Sequence, residues 1–84
     1  MSFNVDWHPN VRKILKKLPP EVSRRIIKKV KDTKENPFRY LEHFEGKGLY
    51  KLRVGDYRLL IDVDFKSMIL NIQVLDKRGR IYKR

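Results

Sequence analysis

The sequence contains no cysteine, which excludes disulfide bonds and thiolate chemistry. It has no apolar run near the roughly 18 residues of a membrane-spanning helix, and residues 1–20 lack the continuous apolar core of a signal peptide. We therefore expect a cytoplasmic protein with no membrane partner. His8 and His43 have no cysteine partners and no paired spacing, so we expect no metal and no cofactor.

Acidic residues are scarce. There are 10 Asp and Glu against 21 Lys and Arg, and the formal net charge is +11. The basic residues are spread along the chain rather than gathered in one tail, and such a charge attracts polyanions. Nucleic acid is therefore the favoured partner, ahead of an acidic protein. With 84 residues, the chain predicts a single domain, residues 1–84, with a thin core.

Two antiparallel amphipathic helices are predicted after a short first strand over residues 3–7. The first helix runs from about residue 8 to residue 17. Pro19-Pro20 separates it from the second, whose periodic pattern ends at Asn36-Pro37. The apolar positions at helical spacing are Val11, Ile14, Leu15 and Leu18 in the first helix and Val22, Ile26, Ile27 and Val30 in the second.

Three further strands are predicted from alternating apolar residues, at 50–54, 57–64 and 68–74. Residues 38–48 show no such alternation, and we expect them to be irregular. The predicted fold class is α+β: two N-terminal helices pack on one face of a small, mainly antiparallel four-stranded sheet in the order β-α-α-β-β-β.

The dipeptide Gly55-Asp56 is typical of a two-residue type II′ hairpin turn. Such a turn places Arg53 opposite Arg58, so that Lys51, Arg53 and Arg58 share one sheet face. Like charges opposite each other cost about 0.2–1 kcal/mol per pair, which an anion over the face would offset. A phosphodiester fits this pattern, although a solvated sheet face is an equally good explanation.

A tyrosine near the C-terminus, Tyr82, lies among basic residues that include Arg78 and Arg80. Nearby cations favour the phenolate, which could accept a proton. The alternative is that Tyr82 only covers a hydrophobic edge of the sheet.

The run Gly48–Arg58, the Pro-Pro-Glu between the helices and the closing run Asp76–Tyr82 resemble the RelE/ParE superfamily of bacterial and archaeal toxins, the RelE branch in particular. The resemblance covers nearly the whole chain and implies the microbial-RNase-like RelE fold. It also implies a toxin that enters the decoding site of the 30S ribosomal subunit and cleaves mRNA. The implied second partner is an acidic RelB-like antitoxin, in a hetero-oligomeric complex.

The resemblance implies catalytic positions at Lys51, Arg53, Arg58, Arg78 and Tyr82, without a metal. Tyr82, with Lys51 or Arg53, would take the proton of the RNA 2′-hydroxyl, Arg58 would hold the phosphate, and Arg78 would serve the leaving oxygen. Further cations are expected to bind the substrate: Lys47, Lys77 and Arg80. In two respects the chain departs from the best-known members: Arg53 replaces a lysine, and the spacing from Arg78 to Tyr82 is shorter.

Two other functions fit the same residues. A toxin of the ParE branch would bind DNA gyrase without catalysis, but that branch commonly lacks the terminal Arg and Tyr. A weakly active RNA-binding relative would keep the cations and lose the chemistry.

Overall fold

The computed structural model describes residues 2–46 and 48–77, and within them it contains three helices and five strands. The strands form one sheet in the order β1-β5-β4-β3-β2, in which β1 runs parallel to β5 and the other pairs are antiparallel. The predicted α+β class and mainly antiparallel sheet are confirmed. The elements are β1 Asn4–Trp7, α1 Pro9–Lys17, α2 Pro20–Glu35, α3 Pro37–Tyr40, β2 Glu42–Glu45, β3 Leu49–Val54, β4 Tyr57–Asp64 and β5 Ile69–Lys77.

Both long helices begin and end where the sequence predicts. Pro9 and Pro20 occupy first-turn positions, where a missing N–H costs nothing. His8 caps α1, since its Nδ1 accepts a hydrogen bond from the backbone N–H of Asn10 at 3.1 Å. The helices are joined by the Ser23 hydroxyl, which donates to the Leu15 carbonyl at 2.6 Å. No helix in the described ranges is both long and apolar enough to cross a membrane.

The core lies between the helices and one face of the sheet. Ile26 and Val30 of α2 are fully buried in this core, where α2 packs against β3 and α1 against β5. Ile14 of α1 is exposed despite its place in the apolar pattern. One helical layer covers only part of the sheet, so the opposite face is left for other uses. The inward-facing strand residues of this core are Leu52, Val54, Leu59, Ile61, Val63, Leu70, Ile72 and Leu75.

The prediction of a four-stranded sheet was wrong by one strand, and residues 38–48 are not wholly irregular. Pro37–Tyr40 form a single helical turn, and Glu42–Glu45 form β2, which pairs antiparallel with the start of β3. The strand was not predicted because its side chains are mostly polar and exposed. Charged residues of this kind are common on edge strands, where they discourage pairing with other chains.

The alternation predicted for the last strand breaks inside β5. Leu60 lies opposite Val74 whereas Ile61 lies opposite Ile72, so Gln73 is an extra residue that forms a β-bulge. After the bulge, Leu75 rather than Val74 enters the core. The bulge therefore reverses the faces of the last strand residues relative to the simple alternation.

The hairpin between β3 and β4 has the predicted register, with Arg53 opposite Arg58 and Val54 opposite Tyr57. Gly55 has a φ of 58°, and Asp56 is not among the residues with positive φ, as a type II′ turn requires.

At the other end of β4, the backbone N–H of Ser67 donates to Asp64 Oδ1 at 3.0 Å. This hydrogen bond holds the pKa of Asp64 below its ordinary value.

We predict that Gly55→Ala lowers the free energy of unfolding by about 1–2 kcal/mol, because a Cβ is disfavoured at positive φ. The new Cβ would also lie 3.3 Å from Nη2 of Arg25. Urea denaturation measures the change. Asp56→Ala in the same turn is the control, because Asp56 is exposed and lacks a positive φ, and it should stay within about 0.5 kcal/mol. Equal losses in both variants would contradict this explanation.

Candidate functional site

The outer face is the sheet surface turned away from the helices, and it carries Lys51 and Arg53 of β3, Arg58 and Leu60 of β4, and Asp76 of β5. These side chains alternate with the core residues of the same strands. The ladder pairs Arg53 with Arg58 and Lys51 with Leu60. The sequence prediction that three cations share one sheet face is therefore confirmed.

Arg58 lies at the centre of the outer face and is 8% exposed, while its cross-strand neighbour Arg53 is exposed. Burial removes a guanidinium from water, and the cost falls when an opposite charge lies nearby. Asp76 is directly across the sheet from Arg58 on the other side, and it is half-buried. A carboxylate and a cation thus flank Arg58 from its two neighbouring strands.

Lys51 is held at the other end of the face by β2. Its Nζ lies 3.5 Å from Oε2 of Glu42, and the two residues are opposite each other in the ladder. The Glu42 side chain is 71% exposed, so this ion pair adds at most a few tenths of a kcal/mol to stability. The contact places a carboxylate beside the Lys51 ammonium.

Besides the anion expected from the sequence, two carboxylates of the chain itself lie next to these cations in the strand ladder. Glu42 accompanies Lys51, and Asp76 lies across from Arg58. Arg53 is exposed and forms no salt bridge with any residue in ranges 2–46 and 48–77. The face combines an ion-paired lysine, a buried arginine and an accessible arginine, a set of donors suited to phosphate oxygens.

The two histidines have structural contacts instead of metal-ligand geometry. His8 caps α1, and the His43 ring lies 2.6 Å from the Gly46 carbonyl through Nε2. Within the described part of the chain, no three His, Cys, Asp or Glu residues are grouped as metal ligands would be.

The predicted site residues that remain are Lys77 and four residues outside the described ranges. Lys77 is opposite Tyr57, which belongs to the helix-facing side of β4, and it is exposed at the end of the sheet. Its substrate contact stays a prediction. The remaining residues lie outside the described ranges: Lys47, Arg78, Arg80 and Tyr82.

Sequence reasoning missed Asp76 and Glu42. With uninterrupted alternation from Leu70, Asp76 would face the helices, and only the bulge at Gln73 turns it towards Arg58. Glu42 was missed because β2 was not recognised as a strand. No local signal marks either residue, since both positions depend on pairing with distant segments.

The comparisons with known proteins agree with this fold. The family model described as ParE toxin of type II toxin–antitoxin systems, parDE, matches residues 5–82. The toxin candidate RelE1 of Methanocaldococcus jannaschii is 33% identical over an alignment of 89 residues, which covers 99% of this chain and 98% of the relative. These matches extend over almost the entire sequence.

Solved structures of RelE-type toxins also match this fold. The RelE–RelB complex of Pyrococcus horikoshii OT3 contains a chain that is 32% identical, with a TM-score of 0.83 and coverage of 95% of this chain and 99% of that one. The RelBE2 toxin–antitoxin complex of Mycobacterium tuberculosis contains a chain with 26% identity and a TM-score of 0.81, covering 93% of this chain and 100% of that one. The protein therefore belongs to the ParE toxin family of type II toxin–antitoxin systems and is a RelE-type toxin.

Proposed function

We propose that this RelE-type toxin is a ribosome-dependent endoribonuclease that cleaves mRNA in the 30S decoding site and so inhibits translation in the cytoplasm. The observation that carries the proposal is the outer face, where buried Arg58 is flanked by exposed Arg53 and by Asp76. Cations held in place before the substrate arrives are suited to stabilising the charge that develops on a phosphate during cleavage.

The proposed reaction uses the RNA as its own nucleophile. The 2′-oxygen forms a bond to the adjacent phosphorus, and the bond from phosphorus to the 5′-oxygen breaks. The products are a 2′,3′-cyclic phosphate and a 5′-hydroxyl. The 2′-hydroxyl loses a proton to a base, the 5′-oxygen gains one, and no metal takes part.

Arg58 is assigned to the phosphate. Burial lowers the effective dielectric around its guanidinium, which strengthens its attraction for a phosphate oxygen. Packing also restricts its side chain, so little entropy is lost when the substrate binds. Arg53 is accessible and would meet the phosphate first, and Lys51 would contribute a third donor beside it.

Tyr82 and Arg78 are assigned from the family resemblance. Tyr82, assisted by Lys51 or Arg53, accepts the 2′ proton, and Arg78 stabilises the leaving 5′-oxygen. A guanidinium with a pKa above about 12 is a poor proton donor, so the role of Arg78 is electrostatic. A site without a conventional acid–base pair depends on the ribosome to align the RNA, and the enzyme should be weak on free RNA. Lys47, Lys77 and Arg80 would add contacts to the substrate backbone.

The second proposed partner is a RelB-like antitoxin. The P. horikoshii and M. tuberculosis relatives were solved as toxin–antitoxin complexes, which supports a hetero-oligomer here. A net charge of +11 favours an acidic antitoxin that covers the basic surface.

The alternative activity, binding of DNA gyrase, is supported by the ParE name of the matching family model. Gyrase binding would leave the pairing of buried Arg58 with exposed Arg53 without a role. Induction of a DNA-damage response without mRNA cleavage would select gyrase binding. RNA binding with no new 5′-hydroxyl ends would instead select a weakly active relative.

We predict that Arg58→Ala lowers the rate of ribosome-dependent mRNA cleavage about 100-fold or more, because it removes a donor to the charged phosphate. Arg58→Lys should recover only part of the rate, since lysine lacks the planar fork. Primer extension in a purified translation system measures the cleavage, and circular dichroism checks folding. Arg39→Ala is the control, because it removes one positive charge at an exposed position of α3, outside the outer face. Unchanged cleavage by a folded Arg58→Ala variant would refute the role.

We predict that Asp76→Asn lowers kcat about 10-fold, equivalent to about 1.4 kcal/mol of barrier, without raising KM. The substitution removes the negative charge that lies opposite Arg58 in the ladder and that we expect to position its guanidinium. The loss of a negative charge should by itself favour RNA binding, so a fall in kcat alone indicates positioning. Asp62→Asn makes the same charge change on an exposed residue of β4, the strand that carries Arg58, and should leave kcat unchanged. Equal kcat values in the two variants would contradict the prediction.

We predict that Glu42→Gln strengthens binding to a short 2′-O-methyl RNA several-fold at low salt, because it removes the negative charge that lies beside Lys51. Such an RNA has no free 2′-hydroxyl and cannot be cleaved. Glu35→Gln removes the same charge at the end of α2 and serves as the matched control. Fluorescence anisotropy measures both affinities. If the two variants gain affinity equally, net charge is the cause and the local ion pair is not.

A further inference from the structure

A cleft of about 290 Å³ opens between α2 and the end of the β3–β4 hairpin. Four cations line it, three from α2 and one from β3, and one carboxylate faces them. Residues so far apart in the sequence meet only because α2 crosses the core face near this end of the sheet. The charged lining consists of Arg25, Lys28, Lys29, Asp32 and Arg53.

Two of these cations are held by packing. The Arg25 guanidinium covers the hairpin turn, with Nη2 3.3 Å from the position of a Cβ at Gly55. Lys29 Nζ lies 4.6 Å from the centre of the Tyr40 ring, in a cation–π contact. Within the described ranges, no cation of the cleft forms a salt bridge, either with Asp32 or with any other carboxylate. The cleft therefore has an excess of positive charge.

Arg53 belongs both to the outer face and to the lining of the cleft. β2 pairs with β3 only as far as Lys51, so within the described ranges the edge of residues 52–54 has no neighbouring strand. Arg53 lies on this edge, where it is both the neighbour of Arg58 in the ladder and part of the cleft lining. Positive charge thus runs from Arg58 through Arg53 to the α2 cations, around the edge of the sheet.

We propose that the cleft binds backbone phosphates of RNA beside the phosphate held on the outer face. The inference rests on the proposed function of that face. A polyanion whose charges recur along its length matches cations that continue around an edge. A protein partner fits less well, because charged residues are depleted from the centres of protein interfaces. The phosphates come either from the mRNA on both sides of the cleavage site or from ribosomal RNA.

The test compares Lys28→Ala with Lys31→Ala. Both lysines are exposed on α2, but only Lys28 lines the cleft. Because each variant loses one lysine, the two variants have the same net charge. Binding is measured against salt concentration with two probes, a short 2′-O-methyl RNA and isolated 30S subunits. Lys28→Ala should reduce the slope of log affinity against log salt by about 0.7–0.9 relative to Lys31→Ala, as expected for one lost phosphate contact. Thermal unfolding verifies that both variants remain folded.

A reduced slope with both probes supports an mRNA phosphate, and a reduction only with 30S subunits supports ribosomal RNA. Equal slopes for the two variants with both probes would overturn the proposal. In cleavage assays, Lys28→Ala should raise KM several-fold and leave kcat unchanged, since the contact is remote from the reacting bonds. If the wild-type protein does not cleave mRNA but the slope difference persists, the nuclease proposal fails and the RNA-binding cleft remains.

Discussion

The antiparallel pairing of β3 with β4 through the Gly55-Asp56 turn is the constraint on which the rest of the structure depends. A two-residue turn permits one register, and a shift by one residue would exchange the two faces of a strand. The register sends the apolar residues of both strands into the core and brings Arg53 and Arg58 together on the outer face. The same turn supports Arg25 and forms one wall of the basic cleft. Folding and charge placement are thus fixed together.

A small α+β domain with one helical layer leaves one sheet face without helical cover, and this protein lines that face with charge. The arrangement costs stability, because Arg58 is buried and Arg53 is opposite it. Asp76 and Glu42 offset part of the cost without neutralising the face. The remaining positive potential is what an RNA phosphate would use. Under the proposed function, an acidic antitoxin would compete with RNA for the same potential.

Prediction from the sequence succeeded where the signal was local. Proline positions and helical periodicity located α1 and α2, and strict alternation around a Gly-Asp turn located β3 and β4 with their register. It failed where a segment takes its structure from its neighbour. β2 has mostly polar side chains and exists because β3 offers a free edge beside it, and β5 changes face at Gln73 because the ladder accommodates an extra residue.

The sequence by itself determined the fold class, the two long helices and the grouping of Lys51, Arg53 and Arg58, because each follows from spacing within a few residues. Only the tertiary structure decided which carboxylates accompany those cations, how deeply Arg58 is buried, and that α2 contributes a basic wall next to Arg53. These features join different elements of the chain, as Arg25 of α2 and Arg53 of β3 illustrate. Their geometry depends on strand pairing and helix packing, which leave no periodic trace in the chain.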